Sequence, residues 1–303
     1  METSRLGRSD LEISRVGLGC NNFGSRLDRD ATAGVVNAAL DAGITFFDTA
    51  DTYGGGDSER FLGAALGGRR DGVVIATKFG GKWQVDDDRP GGSRDYLRDR
   101  VAGSLRRLGT DVVDLYYYHR PDGVTPLAET LAAMQELVDE GRVRWLGLSN
   151  VDRSLIDEAA AVGAPVVAVQ NRYSLMDRGD DADVLPRCLE LGIGYVPYFP
   201  LESGLLTGKY RRGEPAPEGT RLEGRDDSLS AERFDRVEEL ERFAAGHGAS
   251  LLEVAIGGLA SIPGVASVIA GATRPEQAQA NAAAGAWSPD PAGREALDSL
   301  GVG

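Results

Sequence analysis

Eight short apolar runs recur along the chain, each followed by a longer amphipathic stretch, and this alternation limits the available folds more than any other feature. The runs are Arg15–Gly19, Ile44–Asp48, Val73–Lys78, Val113–His119, Arg144–Ser149, Val166–Gln170, Ile193–Tyr198 and Ser267–Ala270. Each is nearly continuous in apolar residues, the pattern of parallel strands covered on both faces. Helices are expected over Asp30–Ala42, Ser58–Leu66, Ser93–Leu108, Pro126–Glu140, Asp152–Ala161, Asp181–Leu191, Ser230–Gly246 and Pro275–Ala284. Ser58 or Asp57 can cap the second, Pro126 suits the first turn of the fourth, and Gly141 ends it. The arithmetic predicts an α/β protein, a single (β/α)8 TIM barrel over residues 1–303. A doubly wound sheet would need a switch point and usually a glycine fingerprint. Neither G-x-G-x-x-G nor a P-loop occurs, and Gly17-x-Gly19 alone is too little.

Additions to the minimal pattern are expected at three kinds of place. Thr3–Ser14 reads as an N-terminal β-hairpin turning near Ser9-Asp10 and plugging the barrel's N-terminal end. Gly80–Gly92 and Ser203–Leu229 are long irregular loops, and loops of that length are uncommon unless they bind something or are disordered. Two extra helices are expected at Ser250–Ser261 and Asp290–Leu300.

Charge and composition narrow the function classes. Lys+Arg 33 against Asp+Glu 47 gives a net charge of −14, which argues against nucleic acid or an anionic membrane as partner. No apolar run approaches the ~20 residues of a membrane span. The polar start, Met1–Asp10, lacks the apolar centre of a signal peptide. Cys20 and Cys188 form neither a close-spaced metal pair nor a disulfide framework, which suits a reducing, cytoplasmic setting. With two histidines, His119 and His247, a multi-histidine metal centre is ruled out, and no metal ligands are assigned.

In a barrel of this type chemistry gathers where strands end. Those positions here are Asp48, Lys78, His119, Ser149-Asn150, Gln170 and Tyr198, so six successive strands end in polar or titratable groups. Singly, each has a bland reading: a turn cap, a snorkelling lysine, a structural histidine, a helix cap, a core tyrosine. His247, between Gly246 and Gly248, keeps its bland reading. Together, the rest would all have to point to one face by coincidence. Tyr53 joins them from the glycine-rich stretch after Asp48. A phenol's pKa of about 10 is too high for ready proton transfer near neutrality, and a neighbouring Lys78 ammonium held by Asp48 is expected to lower it. Such a unit suits protonating an alkoxide as it forms on a reduced carbonyl.

Four segments carry a family likeness: FFDTADTYG at 46–54, ATK at 76–78, YHR at 118–120 and GRVRWLGLSN at 141–150. They resemble the aldo-keto reductases over nearly the whole chain, closest to the subgroup that includes potassium-channel beta-subunit-like reductases. The resemblance implies the barrel already inferred and puts the family's catalytic Asp, Tyr, Lys and His on Asp48, Tyr53, Lys78 and His119, without substitution. It implies NADPH across the barrel mouth, with NADH the other candidate. Ser149, Asn150 and Gln170 would hold the carboxamide, and Tyr198 would stack on the nicotinamide. Gly19, Asn21 and Asp48 would border the same ligand. The segment Pro200, Leu201, Glu202, Ser203, Gly204, Leu205, Leu206 through Tyr210 resembles the family's pyrophosphate-covering loop, with Lys209 as its cation, Arg221 following, and Phe199 just before it also against the cofactor. Gly271, Thr273, Arg274, Gln277 and Asn281 resemble the adenosine-binding segment, and a 2′-phosphate would find Arg221, Thr273 and Arg274.

Phe199 and Glu202 stand where relatives usually carry a Ser and a small residue, and Ala280 replaces a frequent acidic one. A carboxylate beside a pyrophosphate is costly, so Glu202 is expected to point away or meet a cation. The implied activity is reduction of an aldehyde or ketone by hydride transfer, with Tyr53 as general acid. The substrate, a small carbonyl compound, would be held by Phe23, Tyr53, Trp83, His119 and Arg120 in a monomer or simple homo-oligomer. Two rival readings are a Schiff-base aldolase using Lys78, and a non-catalytic NADPH-sensing subunit.

Overall fold

The computed structural model describes residues 1–81 and 87–300. Two hairpin strands, β1 (Thr3–Arg5) and β2 (Glu12–Ser14), precede the main sheet. That sheet comprises β3 (Val16–Gly19), β4 (Phe46–Asp48), β5 (Val74–Phe79), β6 (Val113–Tyr118), β7 (Val143–Ser149), β8 (Val166–Gln170), β9 (Gly194–Tyr195) and β10 (Val268–Gly271). All its pairings are parallel, in the order β10-β3-β4-β5-β6-β7-β8-β9. The two ends join: Tyr195 N–H donates to Gly264 O at 2.9 Å, Ala266 N–H to Tyr195 O at 2.8 Å, and Ile269 N–H to Pro197 O at 3.1 Å. The sheet therefore closes as an eight-stranded barrel, the TIM-barrel fold, without a free edge. Strand β9 is shorter than the expected Ile193–Tyr198 because Pro197 has no N–H to give the ladder.

The helices are α1 (Arg29–Asp41), α2 (Asp57–Leu66), α3 (Arg94–Leu108), α4 (Leu127–Asp139), α5 (Arg153–Ala161), α6 (Val184–Glu190), α7 (Ala231–Gly246), α8 (Leu251–Ala260), α9 (Pro275–Ala284) and α10 (Pro291–Leu300). One expectation is reversed. The stretch Ser230–Gly246 was assigned to the ring of helices and Ser250–Ser261 to an extra one, but α8 is the element packed against β10 and α9. Helix α7 lies outside it, between α8 and α10. The sequence LLEVAIGGLA of α8 is apolar on almost every side, as a doubly covered helix must be, whereas α7 keeps a charged face. A capping box of Ser250 and Glu253 starts α8.

Apolar residues of the strands face two ways. Phe46, Val74, Ala76, Leu115, Tyr117, Val167 and Val196 fill the barrel interior, and the larger core lies between strands and helices. The interior cluster also includes Leu6, Leu11 and Ile13 of the hairpin, which stoppers the N-terminal end as expected. Ser4 Oγ donates to Ala266 O at 2.5 Å, and Trp145 Nε1 donates to Asp10 Oδ1 at 2.7 Å. Gly7 has φ +54, and a Cβ there would meet Val167 O at 2.5 Å, so a larger residue would unseat the plug. Among the described residues no single helix is long and apolar enough to cross a membrane.

Candidate active site

The register of the sheet brings the strand-end residues to one rim. Gly19 pairs with Asp48, Asp48 with Ala76, Lys78 with Tyr117, and Ser149 with Gln170. Asp48 ends β4, and the chain after it keeps bonding to β5: Thr49 N–H donates to Ala76 O at 2.9 Å and Asp51 N–H to Lys78 O at 3.2 Å. This holds Tyr53 at the start of a 3₁₀ turn over Tyr53–Gly56. Gly54 and Gly55 both have positive φ, and a Cβ on Gly54 would meet Phe23 O at 2.8 Å. The glycine run therefore lets the loop press against the β3–α1 connection. His119 follows β6, its N–H donating to Phe79 O at 2.7 Å.

Five of the predicted groups touch or nearly touch. Lys78 Nζ lies 2.5 Å from Asp48 Oδ1 and 2.8 Å from Thr49 O, and is fully buried. The same ammonium sits 5.1 Å from the Tyr53 ring centroid, and the Tyr53 and His119 rings meet edge-on with centroids 5.9 Å apart. Gln170 Nε2 donates to Asp48 Oδ2 at 2.9 Å, so both carboxylate oxygens are engaged. Burial acts against the Lys78 charge, but Asp48 and Tyr53 outweigh it and hold the ammonium above its ordinary pKa. A permanently charged, hydrogen-bonded Lys78 is a poor amine nucleophile.

The effect on Tyr53 differs in sign from the sequence expectation. Burial pushes the phenol up, Lys78 pulls it back without fully offsetting this, and Asp48 adds to the rise. Tyr53 therefore keeps its proton at neutral pH. His119 is pushed down to about 2 by burial and by the charges of Lys78 and Arg120, so its imidazole is neutral. Between these two groups, the one carrying an acidic proton at neutral pH is the phenol.

A long cavity of about 640 Å³ opens over this cluster. Asp48, Tyr53, His119, Arg120, Asn150 and Gln170 line one part of it. Tyr198, Phe199, Pro200, Leu201, Ser203, Gly204, Lys209 and Arg221 form one wall, and Gly19, Asn21, Gly271, Thr273, Arg274, Gln277 and Asn281 another. Asn150, at φ +56, ties the first part together: its Nδ2 donates to His119 O at 2.8 Å and its Oδ1 accepts from Tyr198 OH at 2.6 Å.

Several sequence assignments fall elsewhere. Lys78 stands behind Asp48 and does not reach the cavity surface. Ser149 and Leu206 are fully buried and do not line it. Phe23 is also fully buried, its ring in the core between sheet and helices, so it provides no wall for a substrate. Trp83 lies outside the described residues. Conversely, Cys20, Asn22 and Arg26 line the cavity without having been singled out in the sequence, while Thr207, Glu218 and Thr220 line it from the expected loop Ser203–Leu229. Arg26 was the most detectable of these, as a cation in the loop after β3.

The cavity fits a dinucleotide by the chemistry of its donors. The Arg221 guanidinium is half-buried, has no ion-pair partner among the described residues, and rests 5.4 Å from the Phe199 ring centroid. Burial, with the nearby Arg26 and Arg225, lowers its pKa, which marks a site short of negative charge. A Cβ on Gly204 would meet Lys209 Nζ at 2.5 Å, so the glycine makes room for that cation to cross the loop. At the far end Arg274 precedes the N-terminus of α9, a favourable place for an anion.

The aldo-keto reductase family model matches residues 15–300. The chain belongs to this family. It is 38% identical over 293 residues to a probable voltage-gated potassium channel subunit beta of Oryza sativa subsp. japonica, covering 91% of this chain and 89% of that one. It is 34% identical over 299 residues to the aldo-keto reductase YhdN of Bacillus subtilis, covering 95% and 90%. Among solved structures, the holo form of aldo-keto reductase AKR11C1 from Bacillus halodurans superposes with a TM-score of 0.84 at 32% identity, covering 99% and 96%. The glycerol dehydrogenase AKR11B4 from Gluconobacter oxydans gives 0.87 at 30% identity, covering 98% and 94%.

Proposed function

We propose that this chain is an NADPH-dependent oxidoreductase that reduces an aldehyde or ketone to an alcohol. The observation that carries the reading is a buried Lys78–Asp48 pair set beneath one long cavity, against a protonated Tyr53 and a neutral His119 that line it. When bound, the nicotinamide supplies a hydride to the carbonyl carbon. The chain's own groups do the rest. Tyr53 holds the proton that passes from its hydroxyl to the carbonyl oxygen. Lys78 stabilises the tyrosinate left behind, and Asp48 with Thr49 O keeps that ammonium in place. His119, being neutral, offers a ring N–H to orient and polarise the carbonyl oxygen.

The residues proposed to hold the cofactor are Asn150, Gln170 and Tyr198 for the nicotinamide end, Lys209 and Arg221 for the pyrophosphate, and Thr273 and Arg274 for a 2′-phosphate. Arg120 borders the substrate space. The test is steady-state turnover of Tyr53→Phe on a panel of carbonyl compounds with NADPH and NADH. We expect loss of nearly all turnover while the cofactor still binds; undiminished turnover would refute the role of Tyr53. The relatives named as potassium channel subunits support a second reading, a cofactor-sensing subunit without turnover. Tight NADPH binding by the wild-type chain, with no carbonyl reduced, would favour it.

A further inference from the structure

The wall segment Phe199–Gly208 is folded in a way its residues resist. Phe199, Glu202 and Ser203 have φ of 59, 46 and 60, and they are three of the four non-glycine residues with positive φ among those described. Such backbone persists only where the surroundings over-determine it. Around Phe199–Ser203 the determining group is the side chain of Glu202. It is 4% exposed and faces away from the cavity that its neighbours Leu201 and Ser203 line. Its Oε1 accepts from Ser174 Oγ at 2.9 Å, and its Oε2 accepts from Arg172 Nη2 at 2.9 Å and Arg233 Nη2 at 3.0 Å. Arg172 and Ser174 belong to the connection after β8, and Arg233 to the first turn of α7. One carboxylate thus fastens three segments together: its own, the connection after β8 and the start of α7.

The fastened backbone supports two of the cavity's cations, Arg221 and Lys209. Phe199 stacks edge-on with Tyr198, at 5.5 Å between centroids, and supports Arg221 on its other side. Gly204 is the seat across which Lys209 lies. We propose that Glu202 is a positioning residue that pins the wall segment in its binding-ready shape, so that it sets how tightly and how long a dinucleotide is held. The proposal rests on the cavity being a dinucleotide site. Its physical basis is that two guanidinium groups converge on one oxygen. Without a negative charge there they repel each other, and an amide would turn an N–H toward at least one donor. The residue that looks out of place beside a pyrophosphate is therefore directed at the opposite side of the backbone.

The test uses the full chain with Glu202→Gln and, as a milder change, Arg233→Met. Dinucleotide release is followed by stopped-flow fluorescence of NADPH, and amide hydrogen exchange of residues 199–208 is measured in the free protein. For Glu202→Gln we expect release at least tenfold faster, a matching rise in Kd, and at least tenfold faster exchange in 199–208. Exchange of β4 to β7 should stay as in the wild type, which a general loss of stability would not allow. Arg233→Met should move the same quantities in the same direction by a smaller factor. Wild-type release and exchange in both variants would overturn the proposal. If the wild-type chain binds neither NADPH nor NADH, the reading of the cavity fails, while the exchange measurement still decides whether Glu202 pins the segment.

Discussion

Asp51 lies between Asp48 and Tyr53 in the loop that sets the proton donor, and replacing it with Asn should stabilise the protein in a pH-dependent way. Its side chain is 5% exposed, and neither carboxylate oxygen has a hydrogen-bond partner among the described residues. Burial and the charge of Glu59 raise its pKa from 3.8 to about 7, with Arg100 and Arg107 offsetting only part of this. The sign follows from the raised value. Below pH 3.8 the carboxyl is protonated in folded and unfolded chains alike, and it costs nothing. As pH rises, the unfolded chain releases the proton first, and the folded state loses stability until about pH 7, above which the loss is constant. At 1.36 kcal/mol per unit, the loss is about 2 kcal/mol at pH 5 and about 4 kcal/mol at pH 8. Asn at this position does not titrate, so the advantage of Asp51→Asn should grow by about 2–3 kcal/mol between those pH values. Urea unfolding of both proteins at pH 5 and pH 8 measures this directly. A stability difference independent of pH would refute the reasoning, because it would mean that Asp51 has the same affinity for its proton in the folded and unfolded chains.

Other outcomes can be checked alongside. Lys78→Met leaves the Asp48 carboxylate buried with Gln170 as its side-chain partner and should cost about 3–5 kcal/mol in chemical denaturation, with loss of turnover. The neutral His119 should give no inflection near pH 6.5 in kcat/KM; a limb there that disappears in His119→Gln would contradict its assignment. Arg274→Ala should raise the Kd of NADPH by about tenfold or more and leave that of NADH nearly unchanged, since only the former has a 2′-phosphate for the guanidinium to meet. Equal losses for both cofactors would place Arg274 elsewhere.

Much of the fold is legible in the sequence because its signals are local. Val166–Gln170 and Pro275–Ala284 are found at their expected bounds, each set by a run of one periodicity. The polar strand ends reach one rim because parallel strands in a closed barrel all end on the same side. What was misjudged depends on distant packing. The aromatic character of Phe23 gave no direction, and its ring turned into the core. The roles of α7 and α8 were exchanged because both are helical, and only the all-round apolar surface of α8 marks which one is covered twice. The net rise in the Tyr53 pKa reflects burial, a quantity that a neighbouring lysine in the sequence does not reveal. The surroundings of Glu202 come from residues 30 positions before it and 31 after it, too far apart for any motif to report.

The hairpin that stoppers the barrel has a consequence for traffic. A vessel stoppered at its base is entered from its other end, and among the described residues the cavity lies at that end, over the strand-end cluster. In the reaction proposed above, a dinucleotide would lie along the floor of that doorway and a carbonyl compound would enter over it, toward His119 and Arg120, which line the cavity. With the ligands so arranged, shape would order their passage: the last to enter would be the first to leave, and the dinucleotide would exchange when the space above it is clear.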